Sequence, residues 1–516
     1  MNNPNIFDYT TLKRATDLSC EVCIIGSGAG GATLAAQLCA QGIDVIMIEA
    51  GSNRYAKHFN MNEAQAFNTL YQEGGLRSTE DLGISILQGA TLGGSTTINW
   101  TTCFRTPDRI LDIWQNKYGL RDLSPENMAP YFATIEQQLN INPWSEEAAN
   151  ANNKVIAKGA KALGWEYGVL RRNVKGCANS GYCGMGCPID AKQGMLVTTI
   201  PQALEAGMRL LCNTKAIRIE TSTTRAELLR AEVINPETKK TTGIPINIKA
   251  KVFVSSCGAI NGPALFLRSG LDDKKLVGKR TFLHPVIGLA AQFTEPINGF
   301  YGAPQSLSSH QFIDRGTDKI GYFIEVAPTH PVLSSTAASS FGESQQDFMK
   351  NLAHLSFLIA IHADGIHPQD HGGSITLSNS GNPIVRYPPC EPLKEAFSHA
   401  HRSLAQLGLA AGADVCHTLH THGLQIRSKT DINQLSTREY GALKHGIFSA
   451  HQMGGLPMGA NPNQSIINPQ NQHHNIKNLF VVDGSVFPTA LGVNPSQTIY
   501  SLALRAVPFV RAAVRA

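Results

Sequence analysis

The sequence predicts an α/β fold in which a Rossmann-like dinucleotide-binding domain is joined to a second domain. Three observations predict it. A strand, a glycine-rich loop, a helix, a second strand and an acidic residue follow one another in "CEVCIIGSGAGGATLAAQLCAQGIDVIMIEAG" (residues 20–51). Near the C-terminus a buried strand ending in Asp483-Gly484 precedes an amphipathic helix, in "NLFVVDGSVFPTALGVNPSQTIYSLALRA". The 516 residues, 42% apolar and 16% charged with 47 glycines, exceed one simple domain and suit a loop-rich, cofactor-holding enzyme.

Residues 22–25 read as a buried strand that ends at Gly26. Gly26, Gly28 and Gly31 fit G-x-G-x-x-G. The first permits the tight turn, the second lets the backbone approach a pyrophosphate, and the third lets helix and strand pack closely. An Ala/Leu-rich helix over 29–40 turns its N-terminus toward the phosphates. A second buried strand over 45–48 ends in Glu49, 23 residues after Gly26, where a carboxylate can accept from ribose hydroxyls. An acid here argues against a 2′-phosphate and favours FAD or NAD over NADP.

Two further segments choose FAD. In "QGATLGGSTTIN" (residues 88–99), Gly93 and Gly94 let the backbone lie against a planar ring, with Ser95 or Asn99 in hydrogen-bond reach. At the other end, Asp483 with Gly484 sits at a strand end, placed for a ribityl or phosphate contact. Pro495 opens a helix whose positive end faces the flavin pyrimidine, where negative charge gathers on reduction.

These segments, in this order and far apart, resemble the glucose–methanol–choline (GMC) flavoprotein oxidoreductases over nearly the whole chain. The resemblance implies FAD, a flavin domain built from several stretches, and an α+β substrate domain with an antiparallel sheet. It divides the chain into 1–125, 195–290 and 440–516 on the flavin side, and 126–194 and 291–439 on the substrate side. "NTKAIRI" resembles the family's adenine-side strand and makes Ala216 a backbone contact. "SAHQMGGLPMG" matches its H-x-x-G-x-x-x-M-G pattern at His451, Gly454, Met458 and Gly459, although Gly455 stands where relatives often have Thr or Ser. Asn494, in "GVNPSQT", matches its second active-site position. The implied chemistry is oxidation of an alcohol CH–OH group: His451 takes the proton, Asn494 positions the oxygen, and FAD receives the hydride. "GCANSGYCGMGCPIDAKQGMLVTTIPQALEAG" resembles the branch with long-chain alcohol oxidases and bacterial sugar dehydrogenases, which favours a bulky apolar alcohol. The alternatives are a non-redox lyase or decarboxylase on the same fold, and an idle flavin-binding or electron-transfer subunit.

Net charge is only +5 with no like-charged block, so nucleic acid is not an expected partner. The expected partners are the alcohol and an electron acceptor: O₂, a quinone or a cytochrome. The first residues lack a signal-peptide pattern and no run of 18 apolar residues occurs, so a cytoplasmic location is expected, with peripheral membrane association as the alternative. Eleven cysteines are expected to be mostly free thiols. Cys177, Cys183 and Cys187 have the spacing of an iron–sulfur segment in some sugar-dehydrogenase subunits, and free structural thiols are the reading ranked above it because three ligands fall short of four. His284 is a weaker candidate for lining the pocket. Two histidine groups, His417, His420 and His422 and then His362, His367 and His371, have spacings compatible with zinc, but a metal is not expected at either.

Overall fold

The computed structural model describes residues 3–338 and 341–516. Its eight-stranded sheet is built around Thr16–Ile25, whose last four residues, Val22, Cys23, Ile24 and Ile25, are all buried. A continuous apolar run of this kind needs cover on both faces, the condition of an inner parallel strand. The strand begins six residues earlier than its apolar run because residues 16–21 alternate between partly exposed and exposed positions and carry no continuous apolar signal. Val45–Ile48, Arg209–Leu211 and Ile6–Phe7 follow on one side, all parallel. On the other side lies Thr241–Ser255, parallel to Thr16–Ile25.

That long strand has two neighbours on its far edge. Ala226–Ile234 pairs antiparallel with its first half, and Leu479–Val481 pairs parallel with Phe253, Val254 and Ser255. The strand before Asp483 therefore ends beside the Gly26 turn, at the carboxyl edge where α/β sheets bind ligands. Helices Ala29–Cys39 and Ser496–Arg515 pack together against this sheet. The approach is too close for side chains: a Cβ on Gly30 would stand 1.7 Å from the Val482 carbonyl oxygen, and one on Gly31 would stand 2.1 Å from that of Gly26. Pro495 is the N-cap of the C-terminal helix, one position before the expected first turn. No helix among the described residues is long and apolar enough to cross a membrane.

The second large sheet is antiparallel at its core, in the order Tyr322–Ala327, Leu355–His362, Val286–Gln292, Val415–Thr418 and Gln425–Ile426. The long helix Glu391–Ala410 packs against it. Ile447–Ser449 joins through Val286 and Phe448, and Ile84–Ile86 extends it in parallel. These two strands come from stretches that the resemblance gave to the flavin side. They carry the chain from one sheet to the other and leave residue 451 on the line where the two meet.

Candidate active site

One cavity of about 1160 Å³ runs along that line, from the Gly26 turn to the second sheet. Gly26, Gly28, Glu49, Gly94, Ser95, Asn99, Ala216, Asp483, Gly484, His451, Asn494 and Pro495 all line it. Gly31 and Gly93 stand behind the wall. At Gly28 a Cβ would find nothing within 4 Å, so the helix N-terminus there opens into the cavity, and Gly28 offers no side chain to cap it. Gly93 donates its N–H to Ser27 Oγ (3.0 Å), which in turn donates to Glu49 Oε2 (2.6 Å). Glu49 also accepts from the backbone N–H of Ser27 and Gly51, and burial raises its pKa against those bonds. Asp483 accepts from the N–H groups of Gly258 and Ser485, each at 2.8 Å, and so joins its own loop to the one at Gly258.

At the far end Asn494 Nδ2 lies 3.4 Å from His451 Nε2. Desolvation pushes the His451 imidazole down to about 4, so it is neutral at pH 7. Its other nitrogen, Nδ1, lies 3.2 Å from Nδ1 of His284. His284 does not line the cavity; it is fully buried behind His451. The backbone N–H of Gly492 donates to His284 Nε2 (3.1 Å), which leaves the His284 proton on Nδ1, facing His451. His284 adopts φ +44°, a costly left-handed conformation for a non-glycine residue. Asp364 holds it there, accepting from the N–H groups of Leu283 (2.8 Å) and His284 (3.1 Å) and from the Tyr387 hydroxyl. Asp364→Ala leaves these buried donors without an acceptor. At about 1–3 kcal/mol for an unsatisfied buried group, the variant is expected to lose about 3 kcal/mol in denaturant unfolding.

Glu325 also lines the cavity, and the sequence reading missed it. It is fully buried in a strand whose six residues are all buried, so nothing in the local pattern marks it. Gln305 Nε2 donates to its Oε2 (2.6 Å), while Oε1 has no partner of good geometry. Desolvation pushes its pKa up to about 8, against the pull of nearby Asn494 and Gln305 amides. Around these polar groups the wall is apolar: Trp100, Val286, Ile359, Ile361 and Phe448.

Two family models of the GMC oxidoreductases match this chain, the N-terminal one over residues 67–286 and the C-terminal one over 368–503, together more than half of it. The chain belongs to the GMC oxidoreductases. An FAD binding domain model also matches residues 19–97. A long-chain-alcohol oxidase of Arabidopsis thaliana is 27% identical over 512 residues, covering 94% of this chain and 68% of that protein. An uncharacterized GMC-type oxidoreductase of Sinorhizobium fredii is also 27% identical, covering 96% and 95%. Among solved structures, a pyridoxine 4-oxidase from "Mesorbium loti" superposes with TM-score 0.70 at 15% identity, covering 96% and 99%. A formate oxidase of Aspergillus oryzae RIB40, in a variant form, superposes with TM-score 0.68 at 14% identity, with the same coverage. These last two show the shared fold.

This GMC oxidoreductase is an FAD-dependent oxidoreductase, and its cavity fits the cofactor. The open helix N-terminus at Gly28 suits a pyrophosphate. Two amide oxygens, Asn99 Oδ1 and Asn494 Oδ1, are buried on the cavity wall without partners, and ring N–H groups of a bound flavin could donate to such acceptors. Arg77, buried and bonded to Glu73, Gln88 and Asn261, stiffens the wall between the two ends. Gly455, the departure from the family pattern, has φ +91°, and a Cβ there would meet Pro263 at 2.7 Å; this loop has its own requirement for glycine.

All eleven cysteines of this GMC oxidoreductase are free. Cys177, Cys183 and Cys187 line one small void and, among the described residues, do not converge as a ligand set. No finding supports the iron–sulfur cluster. The segment braces the flavin loop instead: Lys192 Nζ donates to the carbonyls of Thr97 (2.6 Å), Asn99 (3.0 Å) and Cys183 (2.7 Å). Neither sequence-adjacent histidine group converges. His417 bonds Gln292, His422 is exposed, His362 bonds the Pro285 carbonyl, and His371 is exposed.

Proposed function

We propose that the protein oxidises a bulky apolar alcohol to an aldehyde or ketone. His451 takes the hydroxyl proton and Asn494 holds the substrate oxygen. Bound FAD supplies the hydride acceptor, at its N5. The observation that carries this reading is the His451–Asn494 pair, which with Glu325 forms a polar cluster facing the apolar wall of Trp100, Val286, Ile359, Ile361 and Phe448. That one relative is a long-chain-alcohol oxidase agrees with the apolar wall. As negative charge grows on the substrate oxygen, the imidazole and the Asn494 amide both stabilise it. Gly26, Gly28, Gly31, Glu49, Gly93, Gly94, Ser95, Asn99, Ala216, Asp483, Gly484, Asn494 and Pro495 form or support the FAD cradle. The flavin side is residues 1–125, 195–290 and 440–516, and the substrate side is 126–194 and 291–439. O₂, a quinone or a cytochrome takes the electrons on.

A specific observation favours a second assignment of the proton. With Gly492 donating to His284 Nε2, a neutral His284 presents Nδ1–H to His451, and a neutral His451 then carries its own proton on Nε2. In that state His451 donates to the substrate oxygen and Glu325 is the nearby base. The pH profile separates the two. A base works deprotonated. With His451 as base, the rate rises through pH about 4 and falls through about 8, where a charged Glu325 repels the growing alkoxide. With Glu325 as base, the rate instead rises through about 8. Anaerobic mixing with a chain-length series of alcohols tests the activity itself: the flavin band bleaches, most readily with long apolar chains. No bleaching with any alcohol would sink the reading in favour of a lyase or an idle subunit.

A further inference from the structure

Three histidines far apart in sequence meet on the side of the second sheet that carries its long helix. His401 projects from helix Glu391–Ala410, His420 follows strand Val415–Thr418, and His445 precedes strand Ile447–Ser449. His420 and His445 are paired across a short antiparallel bridge. All three are buried, at 0%, 3% and 3% exposure, and one ring nitrogen of each lies within 4.8 Å of those of the other two. Among the described residues, this is the one group of three potential ligands that converges.

From this convergence we propose a structural site for a borderline divalent d-block ion, Zn²⁺ first, held by His401, His420 and His445. Five of the six ring nitrogens lack a hydrogen-bond partner of good geometry: Nε2 of His401 and both nitrogens of His420 and His445. Buried polar atoms are rarely left so, and three adjacent rings left so point to a shared ligand. The sixth nitrogen, His401 Nδ1, lies 3.2 Å from the Tyr440 hydroxyl. With its proton on Nδ1, His401 would donate to that hydroxyl and leave Nε2 free to ligate, the outer-shell arrangement typical of metal-bound histidine. The backbone at Gly288 and Gly446 favours a proton on His445 only weakly against its burial. Burial keeps all three rings neutral, the form that ligates. Tetrahedral coordination at about 2.0–2.1 Å places ligand nitrogens roughly 3.4 Å apart, so the rings close by small torsional movements. Among the described residues no carboxylate joins this group; the positive field of Arg438 reaches His420 and that of Arg402 reaches the adjoining Tyr440, which favours a hydroxide or small anion as fourth ligand.

None of the three lines the catalytic cavity. Their position is structural: the ion would fasten the long helix to two loops, one of which runs from His445 into the strand that delivers His451.

The test uses full-length holoprotein without a polyhistidine tag. Elemental analysis after dialysis, followed by titration with Co²⁺, should show one tightly bound equivalent and the intense visible ligand-field bands of a four-coordinate cobalt site, read as a difference spectrum over the flavin. His445→Ala and His420→Gln should each weaken that equivalent at least 100-fold while FAD content is retained, and added Zn²⁺ should raise the Tm of the wild type alone. A wild-type protein that carries no equivalent and takes up none with this spectrum overturns the proposal. Binding that persists unchanged in both variants also overturns it. Should either variant fail to fold, the other variant and the wild-type titration decide. None of these readouts depends on alcohol oxidation.

Discussion

His451→Ala is expected to slow alcohol-dependent bleaching of the flavin by about 10²–10⁴-fold while FAD content and the fold are preserved. The magnitude follows from losing both a proton-transfer group and a donor to the developing alkoxide. FAD retention is expected because the phosphate end of the proposed cradle is backbone at Gly26 and Gly28, on a loop other than the one that carries residue 451. His451→Gln, which keeps a hydrogen bond but cannot take up a proton, separates the two contributions. Recovery of much of the rate in His451→Gln would make hydrogen bonding the larger share and move the proton to Glu325. Stopped-flow reduction under anaerobic conditions, with saturating long-chain alcohol, measures both variants. Unchanged rates in His451→Ala would remove this residue from the chemistry altogether.

The cofactor half was legible because its code is local. Gly26, Gly28, Gly31 and Glu49 lie within one βαβ unit, where each glycine answers one steric demand: the Cβ at Gly30 or Gly31 that would strike a carbonyl is excluded by chain geometry that the sequence itself displays. His451 and Asn494 were reached through a family pattern rather than through local physics, since neither residue type at its position is unusual. What stayed hidden depends on contacts between distant residues. His284 reads as a possible pocket residue, yet its place behind His451 is set by Asp364 and Gly492, which come from other segments. Glu325 sits in an all-buried strand, and its single charge resembles the polar half of an alternating pattern. The histidines illustrate the same limit. Spacing drew attention to His417, His420 and His422, whereas the fold sends His417 to Gln292 and joins His420 to partners 19 and 25 residues away.

Glu325→Gln is expected to stabilise the protein at high pH and to remove the upper limb of its pH–rate profile. The wild-type carboxyl has its folded-state pKa raised from 4.5 to about 8 by burial. A group raised in this way contributes its stability fully below pH about 4.5 and loses it as pH rises through about 8, because ionised Glu325 must stay in an apolar wall. Converted at 1.36 kcal/mol per pH unit, full ionisation costs the fold on the order of 5 kcal/mol, which the neutral amide avoids. Gln also keeps a hydrogen-bonding carbonyl for Gln305 Nε2, so no new unsatisfied donor appears at that contact. Thermal unfolding of the two proteins should therefore coincide near pH 5 and separate by several degrees near pH 9, with the variant higher. For catalysis, a charge about 4 Å from a growing alkoxide repels it by roughly 4 kcal/mol at an effective dielectric of about 20, so removing that charge should raise the rate at pH 9 substantially. A rate that instead collapses at every pH in Glu325→Gln, while the melting difference follows the expected direction, would assign proton abstraction to Glu325 and leave His451 as the donor that holds the substrate oxygen.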